Sequence, residues 1–229
     1  MQRIYPAILA LLLAGCSVYG PGLRRGKDVY PDLAALRAAN TEGLDYTREA
    51  YWRGSDVSVF ALHGGDIEAA TARVARTLAG KDFNLYVFSG WHGNSGDLHV
   101  TAVNFDDPAA VAIATSSVLA VSVHAQADRG SWVCVGGADA AAAAAVAARL
   151  EGAGFAAETP CRRLPGTSPR NLVNRARAGG VQLEITLRLL RRLETSPEDL
   201  SKFTGAVRMA ILETLASVKA GTGQETTSK

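Results

Sequence analysis

The stretch that decides the fold is Asp56-Val-Ser-Val-Phe-Ala-Leu-His-Gly-Gly-Asp-Ile-Glu68. Its first half alternates two sets of side chains and is rich in β-branched residues, which predicts a strand. The glycine pair then breaks the strand, and the aspartate after it can cap a helix that runs on to Leu78. His63 therefore ends a strand and Glu68 opens a helix, so a tight turn can bring the imidazole and the carboxylate to one point.

This pair has two interpretations. Zn²⁺ accepts imidazole nitrogen and carboxylate oxygen as ligands, so His63 and Glu68 are candidate metal ligands. Alternatively, His63 is a surface histidine and Glu68 is a first-turn glutamate that interacts favourably with the helix dipole. The stretch alone leaves both interpretations open.

The N-terminus has the pattern of an export signal. A short basic start with Arg3 precedes an apolar run from Ile4 to Leu13, which is too short to span a bilayer and is typical of a secretory signal. The ending Leu-Ala-Gly-Cys16 resembles a bacterial lipobox. It implies a lipoprotein signal peptide over residues 1–15, lipid on Cys16 and a tether over residues 16–30, anchored in the outer membrane or at the cell surface. An ordinary signal peptide or a cytoplasmic protein with an apolar start is the alternative.

The remaining residues suffice for one sizeable core, and we expect one monomeric domain over residues 31–220 with a polar, disordered tail over 221–229. Lys and Arg number 24 against 22 Asp and Glu. This near balance, with no basic run that carries interleaved aromatics, disfavours nucleic acid as a partner. Cys134 and Cys161 lack CxxC spacing, so they are either a disulfide of an exported chain or two buried thiols.

Strands and helices alternate along this domain. Predicted strands follow the first one at residues 84–89, 97–102, 118–123, 131–135, 155–158 and 181–186. Predicted helices cover residues 31–39, 108–115, 139–150 and 196–219, with a helical turn at 171–178 and a polar connection at 40–53. This alternation predicts an α/β fold in which helices cover both faces of a sheet.

Two histidines end predicted central strands, His63 after the first and His124 after residues 118–123. Open α/β sheets place ligands at the carboxyl ends of their strands. With Glu68, the two histidines would supply three protein ligands and leave a position open for water, as a catalytic zinc needs. Glu184, on the polar side of a late strand, is the candidate general base. That side faces either solvent or a cleft.

Seven motifs, in order, carry a resemblance that spans about residues 45 to 215. They are His63-Gly-Gly-Asp-Ile-Glu68, Asp97-Leu-His-Val-Thr101, Asn104-Phe-Asp106, Val121-Ser-Val-His124, Val135-Gly-Gly137, Asn171-Leu-Val-Asn-Arg175 and Gly179-Gly-Val-Gln-Leu-Glu184. The order resembles the poly-γ-glutamate hydrolase family. That resemblance implies a zinc carboxypeptidase-like fold with a mixed, largely parallel sheet between helices. It also implies one Zn²⁺ held by His63, Glu68 and His124, with Glu184 as general base. The chain departs from the family at His124-Ala125, where His-Gly is usual.

Three further residues are candidates for substrate binding. Asn174 and Arg175 resemble the Asn-Arg pair with which zinc carboxypeptidases hold a substrate carboxylate, and each γ-linked glutamate unit carries such a group. Arg175 could equally be a surface arginine on a short helix. His99 could contact the substrate or an oxyanion, or be a satisfied strand histidine or a donor behind the ligands. His92, in a glycine-rich loop, is expected to be exposed.

These patterns predict a zinc-dependent hydrolase of γ-glutamyl amide bonds. The expected partner is an anionic γ-linked glutamate polymer or peptide, either poly-γ-glutamate or γ-linked stem peptides of peptidoglycan. The competing hypotheses are a non-catalytic envelope lipoprotein that binds anionic polymer and a structural lipoprotein whose histidines never meet.

Overall fold

The computed structural model describes residues 27–91 and 95–225, with side chains as far as residue 221. The expected signal peptide over residues 1–15, the lipidation of Cys16 and the exposed loop position of His92 lie outside the described residues. Within them, the helices are too short or too polar to cross a membrane.

The described residues form one seven-stranded sheet with helices on both faces. The strands are β1 (Tyr46–Tyr51), β2 (Val57–Gly65), β3 (Asn84–Gly90), β4 (Leu119–Gln126), β5 (Trp132–Gly136), β6 (Ala156–Glu158) and β7 (Gly180–Thr186). The helices are α1 (Leu33–Ala39), α2 (Thr71–Ala79), α3 (Pro108–Ser116), α4 (Ala140–Gly152), α5 (Leu187–Thr195) and α6 (Pro197–Glu225). Short 3₁₀ turns occupy Ser95–Leu98, Ala102–Asn104 and Leu172–Arg175.

The sheet is mixed and largely parallel, which confirms the predicted α/β fold with a mixed sheet between helices. Its strand order is β1-β3-β2-β4-β7-β5-β6, with antiparallel pairing only where β1 meets β3 and where β5 meets β7. The four strands β3, β2, β4 and β7 lie side by side in the middle and are buried along their whole length, apart from the last glycine of β2. Burial on both faces explains why these strands are so apolar.

Each face of the sheet packs against its own helices, because successive side chains of a strand point to opposite faces. In β2, Val57 and Val59 pack in the core under α2, α4, α5 and α6, whereas Phe60 and Leu62 pack in the core under α1 and α3. A sheet between two helical layers follows directly from this alternation.

Several predicted elements differ from the structure. The polar connection contains β1, an edge strand with one buried residue. Residues 97–102 form no strand, because they run from one 3₁₀ turn to the next through an irregular stretch at 99–101. An unpredicted helix, α5, follows β7 without a break. Helix α6 continues to Glu225, so the first part of the expected disordered tail is helical. Helix α2 begins at Thr71, four residues later than predicted, because the chain first makes a turn.

That turn closes the gap between His63 and Glu68. The Glu68 N–H donates to the His63 carbonyl at 2.8 Å, and the Asp66 N–H donates to the Gly90 carbonyl at 2.9 Å. Gly65 has φ 68°, and a Cβ atom there would lie 2.2 Å from the Gly90 oxygen. The turn therefore requires glycine at this position.

We expect Gly65→Ala to lower the free energy of unfolding by about 2–4 kcal/mol, because it combines a positive φ with a clash against backbone. Gly205→Ala is the matched control. A Cβ atom added at this helical glycine would have no neighbour within 4 Å, so the change should raise stability by about 0.5–1 kcal/mol. Urea unfolding of the two variants measures both. Equal stabilities would contradict the requirement for glycine at position 65.

Candidate active site

The carboxyl ends of three neighbouring strands bring the predicted catalytic residues together. His124 and Glu184 are direct partners in the parallel pairing of β4 with β7, so their side chains leave the sheet on the same face. His63 lies near the end of β2, on the other side of β4. The location follows the rule that open α/β sheets bind ligands at this edge.

His63, Glu68 and His124 form a tight buried cluster. His63 Nδ1 lies 3.1 Å from Glu68 Oε1 and 3.2 Å from His124 Nδ1. His124 Nδ1 lies 3.8 Å from Glu68 Oε2. The three residues are 2%, 5% and 4% exposed. Two ring nitrogens and a carboxylate thus converge on one point, as the sequence predicts.

Hydrogen bonds behind the cluster hold these groups in place. His63 Nε2 donates to the Val100 carbonyl at 2.9 Å, which leaves the lone pair of Nδ1 for the cluster in the neutral ring. Glu68 Oε2 accepts the Ala125 N–H at 2.9 Å. Such partners behind a histidine or carboxylate orient metal ligands.

The environment of the cluster favours an ionised Glu68 carboxylate beside a neutral His124 ring. Burial lowers the pKa of His124 to about 3, so this ring is neutral and can offer a lone pair. Burial alone would lower the pKa of His63, but the adjacent Glu68 carboxylate outweighs it and the net shift is upward. Burial opposes the charge on Glu68 as well, and His63 more than compensates, so the pKa of Glu68 falls. The carboxylate is therefore ionised in a buried site.

Glu184 lies in the same cavity in a different environment. Burial, and then repulsion from Glu68, raises its pKa well above the usual value, against a hydrogen bond from Gln182. Gln182 Nε2 donates to Glu184 Oε1 at 2.8 Å, and Gln182 Oε1 in turn accepts from Asn171 Nδ2 at 2.7 Å. The polar side of β7 thus faces a cleft, which resolves the alternative left open by the sequence. A carboxyl group with a raised pKa is suited to accept and return a proton.

His99 lies beside this cluster, although it is not on a strand. Its ring stacks on His63 with centroids 4.0 Å apart, and its Nε2 is 3.9 Å from Glu68 Oε1. Ligand atoms of His63, Glu68 and His99 lie within 4.8 Å of one another, so these residues also could hold a metal. His99 Nδ1 lies 2.6 Å from Asp28 Oδ1, whose other oxygen accepts the Thr101 N–H at 2.7 Å.

Asp28 was not predicted to be near the site. It belongs to the expected tether over residues 16–30, yet its carboxylate holds His99. The contacts at the site therefore include a residue from before the expected domain boundary at residue 31. No local pattern marks an aspartate that reaches the site from outside the sheet, so the sequence offers no signal for it.

The cavity at the cluster has a volume of about 460 Å³. One of its walls is the segment 163–168, which joins β6 to the last 3₁₀ turn. Arg163 on this segment lines the cavity and forms an ion pair with Asp128. Sequence reasoning missed this arginine, since an exposed loop residue carries no periodic signal.

Asn174 and Arg175 are not brought into this cavity. Asn174 Nδ2 donates to the carbonyls of Gly166 at 2.6 Å and Ser168 at 2.8 Å, and its Oδ1 accepts the Ala138 N–H at 3.0 Å. Its amide thus holds the cavity wall from behind. Arg175 is not among the residues that line the cavity, and its guanidinium lies 3.5 Å from the Arg170 carbonyl.

Cys134 and Cys161 form a disulfide, which decides between the two alternatives for this pair. Cys134 on β5 is the direct partner of Glu184 in the pairing with β7. Cys161 stands two residues before the segment that walls the cavity. The bridge therefore fastens this wall to the strand beside the candidate base.

Removing the bridge by Cys134→Ser with Cys161→Ser should lower the free energy of unfolding by about 3–4 kcal/mol, because the bridge spans 27 residues and restricts the unfolded chain. Urea unfolding with and without a phosphine reductant measures the effect. Reduction should lower the unfolding midpoint of the wild type and leave that of the double variant unchanged. Identical unfolding midpoints for all four samples would contradict the expected stabilisation.

The chain is similar in sequence and in structure to known proteins. A model of the poly-gamma-glutamate hydrolase family matches residues 30–199. The UPF0714 protein YndL of Bacillus subtilis (strain 168) is 36% identical over 165 residues, which cover 70% of this chain and 64% of YndL, slightly under two thirds of its length. The SPbeta prophage-derived UPF0714 protein YoqZ of the same organism is 31% identical, over 84% of this chain and 70% of YoqZ.

Two solved structures share the fold at 30% identity. A bacteriophage poly-gamma-glutamate hydrolase superimposes with a TM-score of 0.77, over 83% of this chain and 99% of that one. Zinc-free apo YndL superimposes with a TM-score of 0.75, over 82% of this chain and 99% of that one. The family match and these likenesses confirm the resemblance drawn from the seven motifs, and the chain belongs to the poly-γ-glutamate hydrolase family.

Proposed function

We propose that this chain is a zinc-dependent hydrolase that cleaves the γ-glutamyl amide bonds of poly-γ-glutamate. The observation that carries the proposal is the buried cluster of His63, Glu68 and His124 with Glu184 in the same cavity. Membership of the family and the likeness to a bacteriophage poly-gamma-glutamate hydrolase support the choice of substrate.

The spacing of the cluster fits a tetrahedral zinc ion. Bonds of about 2.0–2.1 Å in a tetrahedron separate neighbouring ligand atoms by about 3.3 Å. His63 Nδ1 lies 3.1 Å from Glu68 Oε1 and 3.2 Å from His124 Nδ1, both close to this separation, and His124 Nδ1 lies 3.8 Å from the other carboxylate oxygen, Glu68 Oε2. Two imidazoles and a carboxylate are also a donor set found in catalytic zinc sites, which keep one position open.

We assign the third ligand to His124 and not to His99. His124 directs Nδ1 at His63 Nδ1, and no described residue hydrogen-bonds to its Nε2. His99 Nδ1 is engaged by Asp28, and its Nε2 lies 3.9 Å from Glu68 Oε1, whereas His124 Nδ1 lies 3.2 Å from His63 Nδ1. His99 then remains available to contact the substrate, as expected from the sequence.

Glu184 supplies the proton transfers of the reaction. Zinc, when bound, acts as a Lewis acid toward the carbonyl and makes water a nucleophile at neutral pH. Glu184 accepts the proton of the attacking water and returns it to the departing amide nitrogen. Gln182 holds one oxygen of Glu184, so the other oxygen is left for these transfers.

The direct test is incubation of the chain without its first 16 residues with poly-γ-glutamate, following polymer length and released amino groups. We expect cleavage that stops on chelation with EDTA and returns with zinc. Muropeptides with γ-linked stem peptides form a second substrate arm. Cleavage of muropeptides alone would show that the substrate is a γ-linked stem peptide and not poly-γ-glutamate. Polymer binding without cleavage under any metal condition would indicate a binding protein and reject the hydrolase proposal.

We also propose that the protein resides in the cell envelope, anchored through lipid on Cys16. The support is the Leu-Ala-Gly-Cys16 pattern and the apolar run before it. Labelling of cells with an alkyne fatty acid tests this, since Cys16→Ala should lose the label. Retention of the label would place the lipid elsewhere or reject the anchor.

A further inference from the structure

The segment that walls the cavity is firmly positioned although it has no regular secondary structure. We call this segment, together with the two residues before it, the wall loop (residues 161–168). Its first residue is disulfide-bonded to β5, and the Pro165 carbonyl accepts the Gly137 N–H at 2.8 Å. The Gly166 carbonyl accepts the side-chain amides of Asn171 at 3.2 Å and Asn174 at 2.6 Å. Groups on this loop therefore hold a defined position relative to the cavity.

The wall loop also contacts the hydrogen-bond chain of the candidate base. Gly166 has φ 63°, and a Cβ atom there would lie 2.7 Å from the carboxamide carbon of Gln182. Gln182 is the residue that donates to Glu184. The loop and the base are thus packed together through one side chain, so a substrate group bound on the loop is placed relative to Glu184.

Arg163 is the positive charge that this loop presents to the cavity. Among the described residues that line the cavity, no other lysine or arginine occurs. Arg163 also lines a smaller adjoining cavity together with Glu68 and His99. Its side chain is 62% exposed and its ion-pair partner, Asp128, is 31% exposed. The guanidinium is therefore accessible and can exchange one carboxylate for another at little desolvation cost.

The other charges of the cavity restrict where a substrate carboxylate can bind. Glu68 and Glu184 both line it, so an anionic group is repelled wherever no cation offsets them. A guanidinium grips a carboxylate through two parallel hydrogen bonds. We propose that Arg163 is the specificity-determining residue that receives the α-carboxylate of the bound glutamate unit and gives up Asp128 in doing so.

This inference rests on the proposed function, and it assigns Asn174 a different part from the expected one. Asn174 is a positioning residue, because its amide holds the wall loop at Gly166 and Ser168 and does not line the cavity. The wall loop, through Arg163, then binds the substrate carboxylate that the sequence resemblance assigned to Asn174 and Arg175.

The test measures both turnover and binding for Arg163→Gln. We expect KM for poly-γ-glutamate to rise about 10–100-fold, with kcat changed by less than about 3-fold, because one charge-assisted pair to the substrate is lost. Arg163→Lys should recover only part of this loss, since an ammonium lacks the planar fork. Asp128→Asn should lower KM, because the competing internal carboxylate is gone. Zinc content should stay unchanged in all three.

The neighbouring Arg162→Gln is the matched control, since that side chain is 86% exposed and does not line the cavity. Its KM should equal that of the wild type. Polymer binding is also measured directly on chains that carry Glu184→Gln, so the result does not depend on turnover. An unchanged KM and Kd in Arg163→Gln, or a rise in Arg175→Gln in its place, overturns the inference. Failure of the wild type to cleave any γ-glutamyl substrate would instead reject the proposed function.

Discussion

Glu184→Gln should lower kcat on poly-γ-glutamate by about 10²–10⁴-fold, the usual contribution of a general base. Glutamine has nearly the same shape and can still accept the hydrogen bond from Gln182, but it cannot take a proton from water. Zinc should remain bound at one equivalent per chain, because Glu184 is not among the proposed ligands. Steady-state kinetics and elemental analysis of the purified variant measure the two quantities.

The matched control is Glu194→Gln, an exposed position on α5. This variant removes the same charge without touching the cavity, so kcat should equal that of the wild type. Two outcomes would reject the role of Glu184 as base. One is an unchanged kcat in Glu184→Gln, and the other is loss of zinc together with activity, which would make Glu184 a ligand.

His124→Ala should lower the affinity for zinc by more than about 100-fold, whereas His99→Ala should retain one equivalent. Loss of a direct ligand must cost at least as much as loss of a group that only orients one, for which about 10–100-fold is usual. Zinc per chain after dialysis gives the first measurement. The rise in melting temperature on adding zinc gives the second, because an ion that binds only the folded chain stabilises it.

This pair of variants discriminates between the two trios that the structure brings together. His124 lies between β2 and β7 and is 4% exposed, so circular dichroism of the metal-free chain must show that His124→Ala still folds. The reverse pattern, zinc lost from His99→Ala and kept by His124→Ala, would transfer the third ligand position to His99. Retention of zinc by both would reject the cluster as the metal site.

The sheet could be predicted where local pattern and burial agree. Apolar runs identify the central strands β2, β3, β4 and β7. His63 and His124 lie near the ends of β2 and β4. β1 could not be recognised, because an edge strand with a single buried residue lacks an apolar face. Helix α5 was missed because it follows β7 directly, with no turn residue to mark the change of period.

The candidate site likewise contains residues that the sequence could place and residues that it could not. His63, Glu68, His124 and Glu184 are held by strands and by one glycine turn, so spacing along the chain places them correctly. Asp28 and Arg163 reach the cavity from irregular segments, and only tertiary contacts fix their positions. The Asn-Arg pair matches the motif, but the Asn174 amide binds the wall loop and neither residue lines the cavity, since the motif does not encode which side chain faces inward.

The chemistry of the candidate site depends on the register in which β4 pairs with β7. Because the side-chain period of a strand is two, a slip of one residue would move Glu184 to the face opposite His124 and send Leu183 to the cavity. A slip of two residues would return Glu184 to the same face as His124, but it would move Glu184 along the strand, away from the cluster. Single insertions or deletions inside either strand should therefore be excluded from active members of the lineage, whereas changes of length should accumulate in the connections between the strands.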